Sequence, residues 1–148
     1  MFRRFALASL LALTATACAS ADPGGAEVVL VDESEADADV KADTVGLTPA
    51  EEGDILRTID TVCGDVWCEG DFDYRFKRLV CDFGAERCTL LAVVLPVGAD
   101  KAYPRACRIR GLAEVSDLAG RDGTGSTLTP AFYEKVDACI GKWAGTIP

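Results

Sequence analysis

Histidine is absent from this sequence of 148 residues. Histidine is the most common general acid or base in enzymes and the most common metal ligand, so its absence excludes a Ser-His-Asp triad and any zinc site that uses imidazole. The chain also lacks the Cys-x-x-Cys pair of thioredoxin-type redox sites and zinc knuckles, and the Gly-Lys-Ser/Thr end of a P-loop. We therefore expect no catalytic residue and no cofactor.

Clusters of positive charge are missing as well. The formal net charge is −9, and residues 22–43 hold eight acidic side chains against one lysine. Residues 44–148 are closer to balance, with sixteen acidic and twelve basic residues. Binding to nucleic acid requires clustered lysine and arginine side chains that neutralise phosphates. We therefore expect no nucleic-acid partner.

The apolar segment at the N-terminus is too short to remain in a membrane as a span. Phe5 to Ala17 is an uncharged run of thirteen residues, mostly Ala and Leu, whereas a spanning helix needs about 20 apolar residues. Two arginines, Arg3 and Arg4, precede this run. A positive start followed by a short apolar run is typical of a secretory signal peptide, so we expect the protein to be exported.

The end of this segment resembles the lipobox of bacterial lipoproteins, in which small residues precede a cysteine that receives diacylglycerol. Residues 13–18 read Leu-Thr-Ala-Thr-Ala-Cys, although Ala15 stands where the motif usually has leucine. The resemblance implies that residues 1–17 are removed as a signal peptide and that Cys18 is lipidated, so that the protein is anchored to a membrane.

The residues after Cys18 are Ala19 and Ser20, and neither is the aspartate that favours retention in the inner membrane. The resemblance therefore implies a lipoprotein of the outer membrane that faces the periplasm or the cell surface. The alternative is an ordinary signal peptide, cleaved near Ala19 or Ala21, with a secreted product and loss of Cys18.

Residues 18–45 form the predicted lipid-anchor site and an acidic tether. Their charge and low apolar content predict an extended, disordered segment. Residues 28–31, Val-Val-Leu-Val, are the exception. They are either an apolar contact segment within the tether or a short strand on the domain, with docking to a partner as a third interpretation. We expect the folded domain to comprise residues 46–148.

Two helices are predicted by their capping residues and their apolar spacing. Thr48, Pro49 and Glu51 form a capping-box start for a helix over about residues 49–63. Thr129 and Pro130 begin a second helix over about residues 130–144. Cys63 and Cys139 fall on the apolar faces of these helices, respectively.

Between the helices, the period of the apolar pattern changes to two. Alternation from residue 72 to residue 81 predicts a strand, with a bulge where the pattern slips at Arg78. Residues 88–94 form the returning strand of a hairpin, residues 107–110 form a third strand, and residues 121–126 are expected to be loop. The resulting fold class is α+β, a small disulfide-stapled domain with an N-terminal helix, antiparallel strands with a hairpin, and a C-terminal helix.

Six cysteines remain after Cys18, and export would place them where disulfides persist. They allow 15 pairing schemes, and geometry favours one of these, which contains three disulfides. Cys81 with Cys88 would close the predicted hairpin, Cys63 with Cys68 would join the end of the first helix to the next turn, and Cys107 would then pair with Cys139. The main rival pairing joins Cys63 to Cys139.

Two groups of residues are candidates for binding. Acidic residues around Cys68 form a weak candidate for Ca²⁺, although a solvated loop is the simpler interpretation. They are Asp65, Glu69, Asp71 and Asp73. Basic residues that alternate with apolar ones are either the ordinary polar side of a half-buried antiparallel sheet or a surface stripe for an anionic partner, with Trp67 as a further contact. They are Arg75, Lys77, Arg108 and Arg110.

The function expected from the sequence is that of a non-enzymatic, membrane-anchored lipoprotein of the cell envelope, acting as a binding or structural module. Its partners would be the membrane, through the lipid anchor, and an envelope protein or glycan. Two alternatives remain. One is a hydrolase of envelope polymers that uses carboxylates such as Glu69 and Asp71, and the other is a secreted domain that offers a disulfide-pinned loop to a protease.

Overall fold

A computed structural model describes residues 28–34, 46–122 and 125–148. The predicted signal peptide, Cys18 and residues 19–27 and 35–45 of the predicted tether lie outside the described residues. The helices are α1 (Pro49–Asp65) and α2 (Pro130–Ala144). The strands are β1 (Val28–Val31), β2 (Phe72–Asp82), β3 (Arg87–Pro96), β4 (Tyr103–Arg110), β5 (Ala119–Asp122) and β6 (Gly125–Leu128). The α+β class with antiparallel sheets is confirmed.

Both helices begin at the threonines that the sequence indicated. At α1, the backbone N–H of Glu51 donates to the hydroxyl of Thr48 at 3.3 Å, and the carboxylate of Glu51 accepts from the backbone N–H of Thr48 at 2.8 Å. The backbone N–H of Thr48 and its hydroxyl, which also donates to this carboxylate at 2.8 Å, hold the pKa of Glu51 below its usual value, because they bind its ionised form. At α2, Phe132 N–H donates to the Thr129 hydroxyl at 3.2 Å. Neither described helix combines the length and apolar character needed to cross a membrane.

The main sheet has four antiparallel strands in the order β1, β4, β3, β2. The hairpin of β2 and β3 runs from the pair Phe72 and Pro96 to the pair Asp82 and Arg87. The register shifts between Phe76 and Arg78, so Lys77 has no partner in β3. This shift is the bulge that the slip in the alternating pattern indicated.

One face of this sheet, the core face, packs against both helices. Its strand residues join those of α1 and α2 in a single buried cluster. Trp143 of α2 is completely buried, and its ring centroid lies 6.4 Å from the rings of Tyr74 and Phe76 on β2. The core-face residues of the inner strands include Leu90, Val94, Cys107 and Ile109, each of which is fully buried.

Residues 28–31 belong to the folded domain, because β1 pairs with β4 from Val28 opposite Ile109 to Val31 opposite Ala106. The sequence had left a short strand open as one interpretation, but it placed the boundary of the domain at residue 46. That boundary is too late for this segment. Val28 is 1% exposed, so burial on the core face accounts for its place in the sheet.

The sequence predicted a loop over residues 121–126, and the structure corrects this prediction. β5 and β6 form a two-stranded antiparallel hairpin with Ala119 opposite Leu128. Leu118 and Leu128 are buried at its base, and the backbone N–H of Thr129 donates to the carbonyl of Leu118 at 3.0 Å. The glycines and polar residues of this hairpin give no alternating apolar pattern in the sequence. The hairpin is held instead by the buried residues Leu118 and Leu128 at its base.

Three disulfides join Cys63 to Cys68, Cys81 to Cys88, and Cys107 to Cys139, with Cα–Cα distances of 5.0, 4.0 and 5.9 Å. The disulfide expectation is confirmed, and these are the three pairs that the sequence favoured. The first closes the end of α1, the second links β2 to β3 across the hairpin, and the third ties β4 to α2.

The two longer disulfides should contribute unequally to stability. In the chain-entropy account, Cys107–Cys139 contributes about 3.5 kcal/mol and Cys81–Cys88 about 2.5 kcal/mol, because the first closes a longer loop. We expect the double variant C107A/C139A to lose about 1 kcal/mol more than C81A/C88A, as measured by urea unfolding. All four cysteines are at most 4% exposed, so the two variants are matched in burial. Equal or reversed losses would contradict this account.

Candidate functional site

The acidic residues around Cys68 do not form a metal site. Asp65 ends α1, Glu69 lies in a 3-10 turn over Trp67–Glu69, and Asp73 lies on β2 with its carboxylate 3.6 Å from Arg75 Nε. Within the described ranges, no group of three or more His, Cys, Asp or Glu side chains is placed to hold a metal ion. The calcium candidate, which also included Asp71, is therefore wrong: proximity in sequence does not bring these carboxylates together.

Trp67 is buried and is not a contact surface, which corrects the sequence interpretation. It is 8% exposed, and its ring centroid lies 4.9 Å from that of Tyr133. Its indole N–H donates to Asp137 Oδ1 at 2.9 Å. Trp67 thus packs the disulfide-closed turn after α1 against α2.

The structure places the four basic residues of the predicted stripe at two different locations. In the register, Arg75, Arg108 and Arg110 occupy the sheet face opposite the helices. Lys77 lies at the bulge on the β2 edge, beside α1. There burial raises the pKa of Asp60, and the positive charge of Lys77 partly lowers it again.

We call the sheet surface that points away from both helices the open face. Its aliphatic residues are Val29, Val31, Val80, Leu91, Val93, Leu95, Pro104 and Ala106. Its polar residues are Asp73, Arg75, Arg78, Asp82, Arg87, Thr89, Arg108 and Arg110. These aliphatic residues are not members of the core cluster between sheet and helices, but Ala106 is itself buried at 2% exposed, and only Val29 and Pro104 are exposed. The open face is therefore a partly exposed surface of aliphatic residues and arginines, against which neither described helix packs.

Carboxylates accompany several of these arginines without burying them. Arg75 pairs with Asp73, and its side chain is 60% exposed. Arg78 reaches the β2 edge, where its Nε lies 3.0 Å from Glu52 Oε1, and its side chain is 55% exposed. Ion pairs this exposed contribute little to stability, so their guanidinium groups can exchange partners at small cost.

A cleft of about 520 Å³ lies where β1 ends and the chain leaves the sheet edge. We call it the edge cleft. Its lining residues are Leu30, Val31, Asp32, Glu33, Pro104, Arg105, Ala106 and Thr146. Val31, Pro104 and Ala106 belong to the open face as well, so the two surfaces are continuous. Arg105 is fixed in the cleft, because its Nε donates to the Thr146 hydroxyl at 3.0 Å.

Sequence reasoning missed the apolar half of the open face and two of its arginines. Residues 90–95 form a continuous apolar run, so their pattern could not show that Leu91 and Val93 face away from the core. Arg87 begins β3, where the loop was expected to end. Arg78 follows the bulge, which shifts it out of the alternating pattern.

The bond between Trp67 and Asp137 should stabilise the fold. The variant D137A leaves the buried indole N–H without its acceptor, so we expect a loss of about 1–3 kcal/mol in urea unfolding. D137N is the matched control, because its amide oxygen can still accept, and it should lose less than half as much. A D137A variant as stable as D137N would show that the bond contributes nothing.

Comparisons with protein-family models, with curated proteins and with solved structures each find no match to this chain.

Proposed function

We propose that this chain is an exported lipoprotein of the cell envelope, and that its domain is a non-enzymatic module that binds a partner through the open face. The observation that carries the binding role is a partly exposed sheet face, not packed against either described helix, that combines aliphatic side chains with arginines. Exposed apolar residues rimmed by polar side chains are a feature of protein and membrane interaction sites.

The proposed location is supported by the three disulfides, which form and persist in oxidising compartments outside the cytoplasm. The N-terminal sequence adds a positive start, a short apolar run and the lipobox-like residues before Cys18. Together they favour an anchored domain on the outer membrane, with a secreted domain as the alternative.

Two observations argue against the enzymatic alternative. Glu69 and Asp71 are both exposed, and neither lines the edge cleft. A general acid of a glycosidase needs a shielded site that raises its pKa. The exposure of these two carboxylates therefore favours the non-enzymatic proposal over the hydrolase alternative.

The inhibitor alternative is less well supported. The loop that Cys81–Cys88 closes forms a 3-10 turn over Phe83–Ala85. It is also tied to the domain, because the carbonyl of Glu86 accepts from the backbone N–H groups of Gly111 at 2.8 Å and Leu112 at 3.3 Å. The loop is thus a turn hydrogen-bonded to the rest of the domain, and it lacks the extended conformation that would present it to a protease.

Lipidation of Cys18 can be tested by mass. We expect the mature wild-type protein to fractionate with membranes, to carry acyl chains on Cys18, and to gain about 6 Da on reduction of its three disulfides. The variant C18S should lose the acyl mass and leave the membrane fraction, whereas the neighbouring control S20A should retain both. A mature chain that begins after Cys18 would reject the anchor.

Binding through the open face can be tested in cells by photo-cross-linking. A benzophenone amino acid would replace Val29 on the open face or, as a matched control, Val66 at the end of α1. Both valines are exposed, at 44% and 54%. We expect cross-linked products of higher mass from position 29 alone. Equal products from both positions, or none from either, would reject the open face as the contact surface.

A further inference from the structure

The chain between β1 and α1 has its two ends at opposite edges of the main sheet. Residues 35–45, which lie outside the described residues, join Ser34 to Gly46. Ser34 follows β1, the strand at one edge. A Cβ on Gly46 would lie 2.6 Å from the carbonyl oxygen of Cys81 on β2, the strand at the other edge. The chain between these two residues must therefore pass from one edge of the four-stranded sheet to the other.

The length of this chain restricts its route. We call the straight line from Ser34 to Gly46 the crossing line, and its length along and across the paired strands is about 25 Å. Eleven residues bridge at most about 40 Å. The core face is covered by α1 and α2, and a path around that helix layer needs about 50 Å. A path around either end of the strands needs about 45 Å, so only the open face allows a crossing within the available chain.

Burial on the open face follows the crossing line. From the register and the strand spacings, the line passes within about 2 Å of Ala106 and Thr89. These residues are only 2% and 1% exposed, although neither described helix packs on this face. Val29 on one side of the line and Arg75 on the other lie about 10 Å from it, and both are exposed. Pro104, near the start of the line, is exposed beside the edge cleft. Burial along the middle of the line, with exposure on both sides, indicates that a chain segment covers it.

The sequence of this segment suits a contact with aliphatic side chains. From Glu35 to Asp43, each charged residue is followed by an alanine or a valine until the run ends. An extended backbone places successive side chains on opposite sides, so three alanines and one valine would face the sheet while the charged groups would face solvent. Leu91 and Val80 of the open face also lie within about 2 Å of the crossing line and would receive these aliphatic side chains.

We propose that residues 35–45 of this chain lie across the open face, along the crossing line, and cover Ala106 and Thr89. A partner would then contact the open face on either side of this segment, around Val29 or around Arg75. Chain length and burial carry the inference, and it requires no unpaired guanidinium group. It goes beyond the proposed function, because it names a contact within the chain that exists whether or not a partner binds.

Cross-linking within the chain tests this contact. Photo-leucine, an isostere of leucine that carries a diazirine, would replace leucine throughout the full-length, oxidised protein, and mass spectrometry would map the products after irradiation, reduction and digestion. Leu91 lies on the crossing line, whereas Leu95, on the same strand and face and also half-buried, lies about 10 Å from it. We expect products that join Leu91 to residues 35–45 and none that join Leu95 to them.

A second measurement needs no photoreactive group. One variant replaces residues 35–45 by eleven Gly and Ser residues, and the matched control replaces residues 19–27, which precede β1, by nine, so each keeps its chain length. We expect the urea midpoint of the first variant to fall by about 1 M, because the aliphatic contacts on the open face are lost. That of the control should stay within about 0.2 M of the wild type. Circular dichroism would show that each variant is folded.

Any of three results would overturn this inference: no product between Leu91 and residues 35–45, equal products from Leu91 and Leu95, or equal urea midpoints of the two Gly/Ser variants. In a mixture of light and isotopically heavy protein, products found only between light and heavy chains would assign the contact to a second copy instead. In these cases, cross-linking of a partner from position 29 but not from position 66 would still support the open face as the contact surface, so the two proposals fail separately.

Discussion

The disulfide between Cys107 and Cys139 determines how the helices and the sheet are arranged. It joins β4, an inner strand, to the middle of α2, and both cysteines are fully buried. Cys139 lies on the same helical face as Phe132, Val136 and Trp143, so the cross-link fixes which face of the sheet α2 covers. Because α1 joins the same buried cluster, both helices lie on one side. Among the residues that the structure describes, no helix packs on the opposite side, which is the origin of the open face.

The helices could be predicted from the sequence because their determinants are local. A threonine cap, a proline in the first turn and apolar residues on one face specify α1 and α2 within short stretches of chain. The same periodicity placed Cys63 and Cys139 on buried faces, which made their disulfides plausible. The β5–β6 hairpin and the place of β1 could not be predicted in this way, because buried Leu118, Leu128 and Val28 are set by contacts distant in sequence.

The candidate site was predictable to a similar degree and for the same reason. Alternation along single strands placed Arg75, Arg108 and Arg110 on one side of the sheet, which the register shows. It failed for Trp67, whose burial depends on Tyr133 and Asp137, about seventy residues away. It also failed to reveal the aliphatic part of the open face, since a continuous apolar strand does not show which residues face the core.

The edges of the sheet support the role assigned to its open face. β1 is only four residues long and is followed by Asp32 and Glu33, and short strands with flanking charges discourage edge-to-edge pairing. At the other edge, Glu52 accepts from the backbone N–H of Leu79 and from Arg78 Nε, each at 3.0 Å, and so occupies a donor of β2. Both edges are thus protected against strand addition, whereas the open face keeps exposed Val29 beside arginines. A partner would therefore bind across the sheet by its side chains and not extend the sheet by its backbone.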